Sequence, residues 1–337
     1  MTSKRIPRRR IFVTYDTARD TRIFVNDPTR VDSTELHVAM SCTMSVDPRR
    51  NRGAVIVANL AERTRNDLSG IIESTLDLRR DDLRDLFTPE QIADSRVLVR
   101  PLQKTTTIEL GGGYCEIDAG EDDRVGRVFE GGVSRIRSAK NGPEWHTQFE
   151  IGDGLTTAAG AVANQEFNDG AKVFDVVRHI IRSLGLSIGT LTLQQFQDAV
   201  GANVVSLLPR GYVASGSSNA LLKQLLEHSG AEWFIDRGVF YIVKKGRPID
   251  PNQAPVVVEQ DVMGGLRATP VPIDDRGIRA ISDFRPDVRI GRLVETRARQ
   301  LSGVWRADVV RHQLDNRAGR WMTMMTLRKV PEFDFDG

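Results

Sequence analysis

Two cysteines are all that the 337 residues carry, Cys42 and Cys115. That count allows one disulfide and excludes a disulfide framework. Both read as small buried hydrophobes in a reducing compartment. Long apolar runs are missing too: no stretch approaches the roughly 18 consecutive apolar residues of a membrane span. The basic start MTSKRIPRRRIFVTY lacks a long apolar centre and a cleavage site. It does not read as a signal peptide, and a cytoplasm is the expected place of synthesis. Nor does one sign of charge dominate. With 47 basic and 45 acidic residues the net charge is +2, unlike the lopsided balance of a chain-wide nucleic-acid binder.

What is present is ordinary globular composition, 40% hydrophobic and 27% charged, in a length that suits two or more domains. The first 160 residues read mainly as strands. RIFVTY and TRIFVN flank a polar turn, LHVAMSCTMSV follows, and a strand over Ala54 to Ala58 leads to a helix starting near Leu60, with Asn59 as its candidate N-cap. Residues 66 to 98 alternate charge signs and read as a solvated helix or an excursion from the barrel. From about 96 the strand pattern returns, ending in a hairpin. Asn141-Gly142-Pro143 is its turn. After it Trp145, Thr147, Phe149 and Ile151 fall on a core face, and Glu144, His146, Gln148 and Glu150 on a polar one.

The middle changes period. Val173, Phe174, Val176, Val177, Ile180, Ile181 and Leu184 recur at helical spacing, with Asn168 or Asp169 as candidate caps and Gly185 just past the end. A second helix carries Leu221, Leu222, Leu225 and Leu226, stops at Gly230, and gives way to the hairpin EWFI-DRG-VFYIV. Two small helix–strand modules over about 163 to 248 follow from this. KKGRPIDPNQAP is a linker. Residues 255 to 330 are again β, with a long hairpin turning at Asp315 to Gly319, and PEFDFDG closes the chain as an acidic tail. The fold class is therefore α+β and multidomain. Residues 1–160 and 251–337 form β domains, and 161–250 hold the modules between them.

Catalytic and ligand-binding patterns are weak. Gly111-Gly112-Gly113 is followed by strand and acid rather than by a helix N-terminus, so a turn or bulge accounts for it better than a phosphate loop. Gly216-Ser217-Ser218-Asn219-Ala220 lacks the second glycine of a nucleophile elbow, and Ser217 or Ser218 reads as an N-cap. The five histidines, His37, His146, His179, His228 and His312, show no metal spacing. Asp118, Glu121, Asp122 and Asp123 lack the ligand order of a calcium loop. The basic run Lys4, Arg5, Arg8, Arg9 and Arg10 reads as a protein contact or a solvated arm. Trp145, Trp233, Trp305 and Trp321 alternate into core positions rather than forming a stacking platform. No cofactor, metal or enzymatic activity is expected.

The segments NRGAVIVANLAERTRNDL, GGGYCEI, GRVFEGGVSRIRS and WHTQFEIGDG, followed by FNDGAKVFDVVRHIIRSLGL and SGSSNALLKQLLEHSGAEWFIDRGVFYI, and then by GGLRATPVPID, RPDVRIGRLVE and SGVWRADVVRHQLDNRAGRWMTMMTL, occur in an order that resembles one family. The chain is similar, over roughly residues 10 to 330, to the central baseplate hub proteins of contractile-tailed bacteriophages, which are related to the hubs of contractile injection systems. The long 66–98 excursion departs from that pattern. The resemblance implies two tube-like β-barrel or sandwich domains with small α/β modules between them. It implies a homotrimer whose tube-like domains present six similar units, matching a six-fold tail tube to a three-fold spike. The implied partners are the central spike, tail tube, tape-measure and baseplate wedge proteins. DNA would pass through the lumen without specific recognition, and no membrane would be engaged before infection. The implied location is the virion tail baseplate, assembled in the host bacterial cytoplasm. Residues 124 to 154 and 301 to 328 are then the expected ring strands, with Arg135, Arg137, His146, Gln148, Glu150, Arg306 and His312 as the expected interface side chains. A tail-associated peptidoglycan hydrolase or a carbohydrate-binding β module are the alternatives.

Overall fold

The structure, a computed structural model, describes residues 8–16, 21–26, 36–47, 51–65, 107–115, 126–152, 162–184, 186–188, 193–201, 207–208, 211–226, 229–260, 265–317 and 319–330. The 66–98 excursion, the acidic residues 118–123, Lys4, Arg5, Gly185, His228 and the acidic tail lie outside them. The chain is mostly β and forms two compact units. One comprises Met1–Ser41, Gly53–Gly152 and Leu314–Arg320; the other comprises Cys42–Arg52, Asp153–Gln313 and Trp321–Gly337.

The first unit holds β1 (Arg8–Asp16), β2 (Thr21–Asn26), the first half of β3 (Val38–Ser45), β4 (Arg52–Ala58) from Gly53 on, β5 (Thr107–Cys115), β6 (Gly126–Asn141) and β7 (Glu144–Gly152), in the order β3-β4-β7-β6-β5-β1-β2. The β1–β2, β1–β5, β5–β6 and β6–β7 pairs are antiparallel. Alternation does the sorting. Val38, Met40, Val55, Val57, Ile108, Leu110, Phe149 and Ile151 go inward and are buried. The glycine run sits inside β5, with a register shift between Leu110 and Gly111. Arg8, Arg9 and Arg10 belong to β1, opposite Cys115, Tyr114 and Gly113, so this part of the basic run is strand. The N-cap expectation for Asn59 is corrected. Asn59 takes the left-handed conformation at φ 58 and bonds to Trp145 and Glu144 instead.

The second unit holds β8 (Val162–Phe167), β9 (Ala171–Lys172), helices α1 (Val173–Ser183) and α2 (Leu193–Val200), β10 (Leu207–Leu208), β11 (Tyr212–Ser217), helix α3 (Ser218–Leu226), β12 (Ala231–Asp236) and β13 (Val239–Lys244). The two helix–strand segments share one core, in which Val176, Val177, Ile180, Phe196, Leu222 and Phe240 are buried together. Neither Asn168 nor Asp169 caps α1; Lys172 occupies the cap with no side-chain bond, and the Asn168 carbonyl accepts from the Ala171 N–H. The β12–β13 turn is Arg237-Gly238, at φ 51 and 74, as the primed turns of two-residue hairpins require.

The same unit continues with β14 (Val256–Glu259), β15 (Val271–Asp274), β16 (Gly277–Asp283), β17 (Leu293–Arg297), β18 (Gly303–Asp315) as far as Gln313, and β19 (Trp321–Lys329). Strands β15-β16-β19-β18 follow one another, β17 pairs with β18, and β14 runs parallel to β17. Trp321 and Phe284 are buried beneath the sheet and pack edge to face at 5.7 Å. Cys42 is buried here, and its desolvation pushes the thiol up to about 12, which keeps it protonated and inert.

Candidate interaction surface

The polar face of the β6–β7 hairpin is built by strand alternation and one bulge. Gly142, at φ 62, and Pro143 make the turn, with Asn141 opposite Glu144. Proline cannot take a positive φ, so glycine first and proline second fits the II′ hairpin turn rather than I′. From the turn the ladder pairs Arg135 with Glu150, Arg137 with Gln148 and Ala139 with His146 on the polar face. On the other face Ile136 opposes Phe149, Ser138 opposes Thr147 and Lys140 opposes Trp145. The register shifts between Val133 and Arg135. The extra residue, Ser134, is a bulge that moves the inward phase of β6 from odd to even positions. Its hydroxyl donates to the Glu150 carbonyl at 3.0 Å.

The five predicted residues of this hairpin therefore share one face. Arg135 and Arg137 are exposed; His146, Gln148 and Glu150 are half-buried. Arg135 approaches Glu150 at 3.8 Å, a long and solvated pair. Arg137 has no ion pair among the described residues. His146 lies 3.5 Å from Glu144, and this contact, first among several, holds the Glu144 carboxyl below its ordinary range, helped by Asn59 and Arg317.

Near the turn the hairpin is clamped. Asn59 N–H donates to the Trp145 carbonyl at 2.7 Å, and its side chain accepts from the Trp145 N–H at 3.1 Å and donates to Glu144 at 3.2 Å. The Arg65 guanidinium sits 4.5 Å from the centre of the Trp145 ring. Trp145 was expected in the core. It is 38% exposed, and Arg65 rather than a hydrophobic neighbour covers its face.

Arg306 and His312 were expected on the same kind of surface, and the structure places both inside the second unit. On β18 His312 alternates inward with Val310 and Leu314, and Arg306 lies between buried Trp305 and Ala307. Arg306 pairs with Glu232, with Asp308 at 2.7 Å, and donates to the Arg247 carbonyl at 3.0 Å. Burial raises the Asp308 carboxyl although Arg306 opposes the shift. His312 meets the Thr323 hydroxyl at 2.9 Å and the Phe284 ring at 5.5 Å. These two side chains belong to folding within the chain.

Trp305 and Trp321 are buried, which removes them from any stacking surface. Among the described residues no three His, Cys, Asp or Glu side chains are grouped to hold a metal ion. No helix among them is long and apolar enough to cross a membrane.

No family model matches the chain, and no curated protein matches it by sequence. Solved structures do. The 43 kDa tail protein of prophage MuSo2 from Shewanella oneidensis superposes with a TM-score of 0.54 at 9% identity, over 96% of this chain and 99% of that one. The tail protein from Neisseria meningitidis MC58 gives a TM-score of 0.53 at 10% identity, over 96% and 98%. The chain thus has the fold of these tail proteins.

Proposed function

We propose that the chain is a structural protein of a phage tail, the hub of the baseplate. Three copies form a ring whose tube-like β domains join a six-fold tail tube to a three-fold central spike. Residues 1–160 and 251–337 supply the two tube-like domains of each copy, with 161–250 between them. The observation that carries the reading is the end-to-end agreement in fold with a prophage tail protein, 96% of this chain on 99% of that one. The hairpin surface supports it. A strand pair with one apolar face and one charged face suits a ring in which one side packs a core and the other meets a neighbour or a lumen.

The side chains assigned to that contact are Arg135, Arg137, His146, Gln148 and Glu150. The partners are further copies of this chain, the spike, tube and tape-measure proteins, and the baseplate wedge. Such a part needs no catalytic group. Its place is the virion tail baseplate, after assembly in the host cytoplasm. Native mass spectrometry of the chain, at several concentrations and with tube and spike proteins added, tests the proposal. A trimer, alone or on adding a partner, supports it. A chain that stays monomeric with every partner present overturns it.

A further inference from the structure

Val271 and Val213 are 62% and 59% exposed, the highest values among the large hydrophobic side chains of the described residues. Each stands on a sheet face of the second unit. Val271 on β15 is opposite Arg279 of β16, and Arg279 is opposite Thr326 of β19. Next to them Ile281 opposes Met324, and Asp283 opposes Met322. The alternate positions Ile278, Ala280, Met325 and Leu327 are buried, so this is the outer face of the sheet. The Asp315 N–H bonds to the Arg320 carbonyl and His312 meets Thr323, a register that sets Arg311 of β18 beside Met324. Ile281, Met322 and Met324 thus form a half-buried apolar strip, with Val271, Arg279 and Arg311 exposed around it. Asp283 is engaged by Arg267 at 2.7 Å, which makes the exposed rim cationic. An apolar centre with methionine and arginine and without lysine is the composition of a protein contact.

The other face belongs to the β8–β11 ribbon. Ala163 and Ala214 turn inward and are buried. Val162, Glu166 and Val213 lie on the opposite face, all exposed, with Val213 directly across from Glu166. Residues 162–169 and 211–217 carry the acids Glu166 and Asp169 and no cation. We infer that this ribbon packs on the β16–β19 face of a second copy of the chain, Val213 against Ile281 and Met324, and Glu166 against Arg279 and Arg311. Charge selects the occupant, because the strip has a basic rim and the ribbon an acidic one around exposed valines. Val213 and Val271 keep their exposure within one chain, so the pairing falls between chains. Two different faces meet, so the contact is heterologous, and such contacts generate rings when the rotation closes. The inference rests on the ring of the proposed function and identifies which faces of neighbouring copies meet.

The test uses the full chain with its tube and spike partners, read by native mass spectrometry. Arg279→Glu with Arg311→Glu weakens assembly by roughly tenfold or more, as does Glu166→Arg. Combining the three substitutions restores it. Thermal unfolding checks that each variant folds. A second route decides the matter if one does not. Val213→Cys is placed in one chain and Met324→Cys in another, both in a Cys115→Ser background, and Cys42 is buried. A short bismaleimide joins the two chains in the mixture and joins neither chain to itself. If the charge variants assemble as the parent does, if the triple variant fails to recover, or if the mixture is not joined, the inference falls while the hub reading stands. If the parent chain never assembles, both fall.

Discussion

Gly131 of β6 stands where a Cβ would run into the backbone carbonyl of Gly152 on β7, with the Ile151 Cγ2 only 3.0 Å away. The two strands can approach at this point because Gly131 has no side chain. A methyl group there has to push backbone, which does not yield as a flexible side chain does.

Gly131→Ala therefore destabilises the protein by about 1–3 kcal/mol, read as a lower midpoint in urea. Gly142 is the control. Nothing lies within 4 Å of a Cβ there, although its φ of 62 strains any other residue. Gly142→Ala costs about 1 kcal/mol. If the two variants unfold at the parent's midpoint, the close approach of β6 and β7 is wrong.

Asn59 joins the end of β4 to the start of β7 through three hydrogen bonds, in a left-handed backbone that asparagine tolerates better than most residues. Asn59→Ala loses two of those bonds and strains the backbone, at a cost of about 2 kcal/mol. Asn59→Gly loses the same bonds but relieves the strain, so it falls between alanine and the parent. An alanine variant at least as stable as the glycine one contradicts this account.

How far the sequence displays this architecture depends on the range of the signal. The β6–β7 and β12–β13 hairpins, the helix α1 and the C-terminal hairpin show in local alternation, helical spacing and turn residues. The bulge at Ser134 does not, because one extra residue leaves composition unchanged while it reverses the phase. Helix α2, with Phe196, Ala199 and Val200 as its buried positions, is too short and too rich in glutamine to stand out. The parallel pairing of β14 with β17 joins segments more than 30 residues apart. The passage of the chain between its two units within β3 and within β18 is equally a tertiary fact. For the same reason Arg306 and His312 read as surface residues. Their partners Glu232 and Thr323 lie elsewhere in the chain.

Arg306 is buried between Glu232 and Asp308. Arg306→Met keeps the volume and leaves two carboxylates facing each other without their cation. The expected loss is about 3–5 kcal/mol by chemical denaturation. A neutral outcome shows that the cluster is solvated, against its burial here.

His312 makes stability depend on pH. The His312 Nδ1 shares a hydrogen bond with the Thr323 hydroxyl at 2.9 Å, and that hydroxyl also accepts the Arg285 N–H at 3.0 Å. The other ring nitrogen, Nε2, is buried without a hydrogen-bond partner. Burial pushes the ring down to about 3 from 6.5, with Asp287 opposing. Between those values the unfolded chain binds a proton that the native ring refuses. This contribution to stability is constant above pH 6.5 and falls below it, by about 1.4 kcal/mol per pH unit, until pH 3. His312→Leu flattens that part of the profile measured by denaturation at a series of pH values. An unchanged slope assigns the acid loss to other groups.

The central claim is a ring of three chains that presents six similar β units. Cryo-electron microscopy of the chain mixed with its tail tube and spike proteins tests it most directly. The account predicts class averages with three copies per ring, three-fold symmetry on the spike side and near six-fold appearance on the tube side. Single chains bound to either partner, or rings with another number of copies, contradict it.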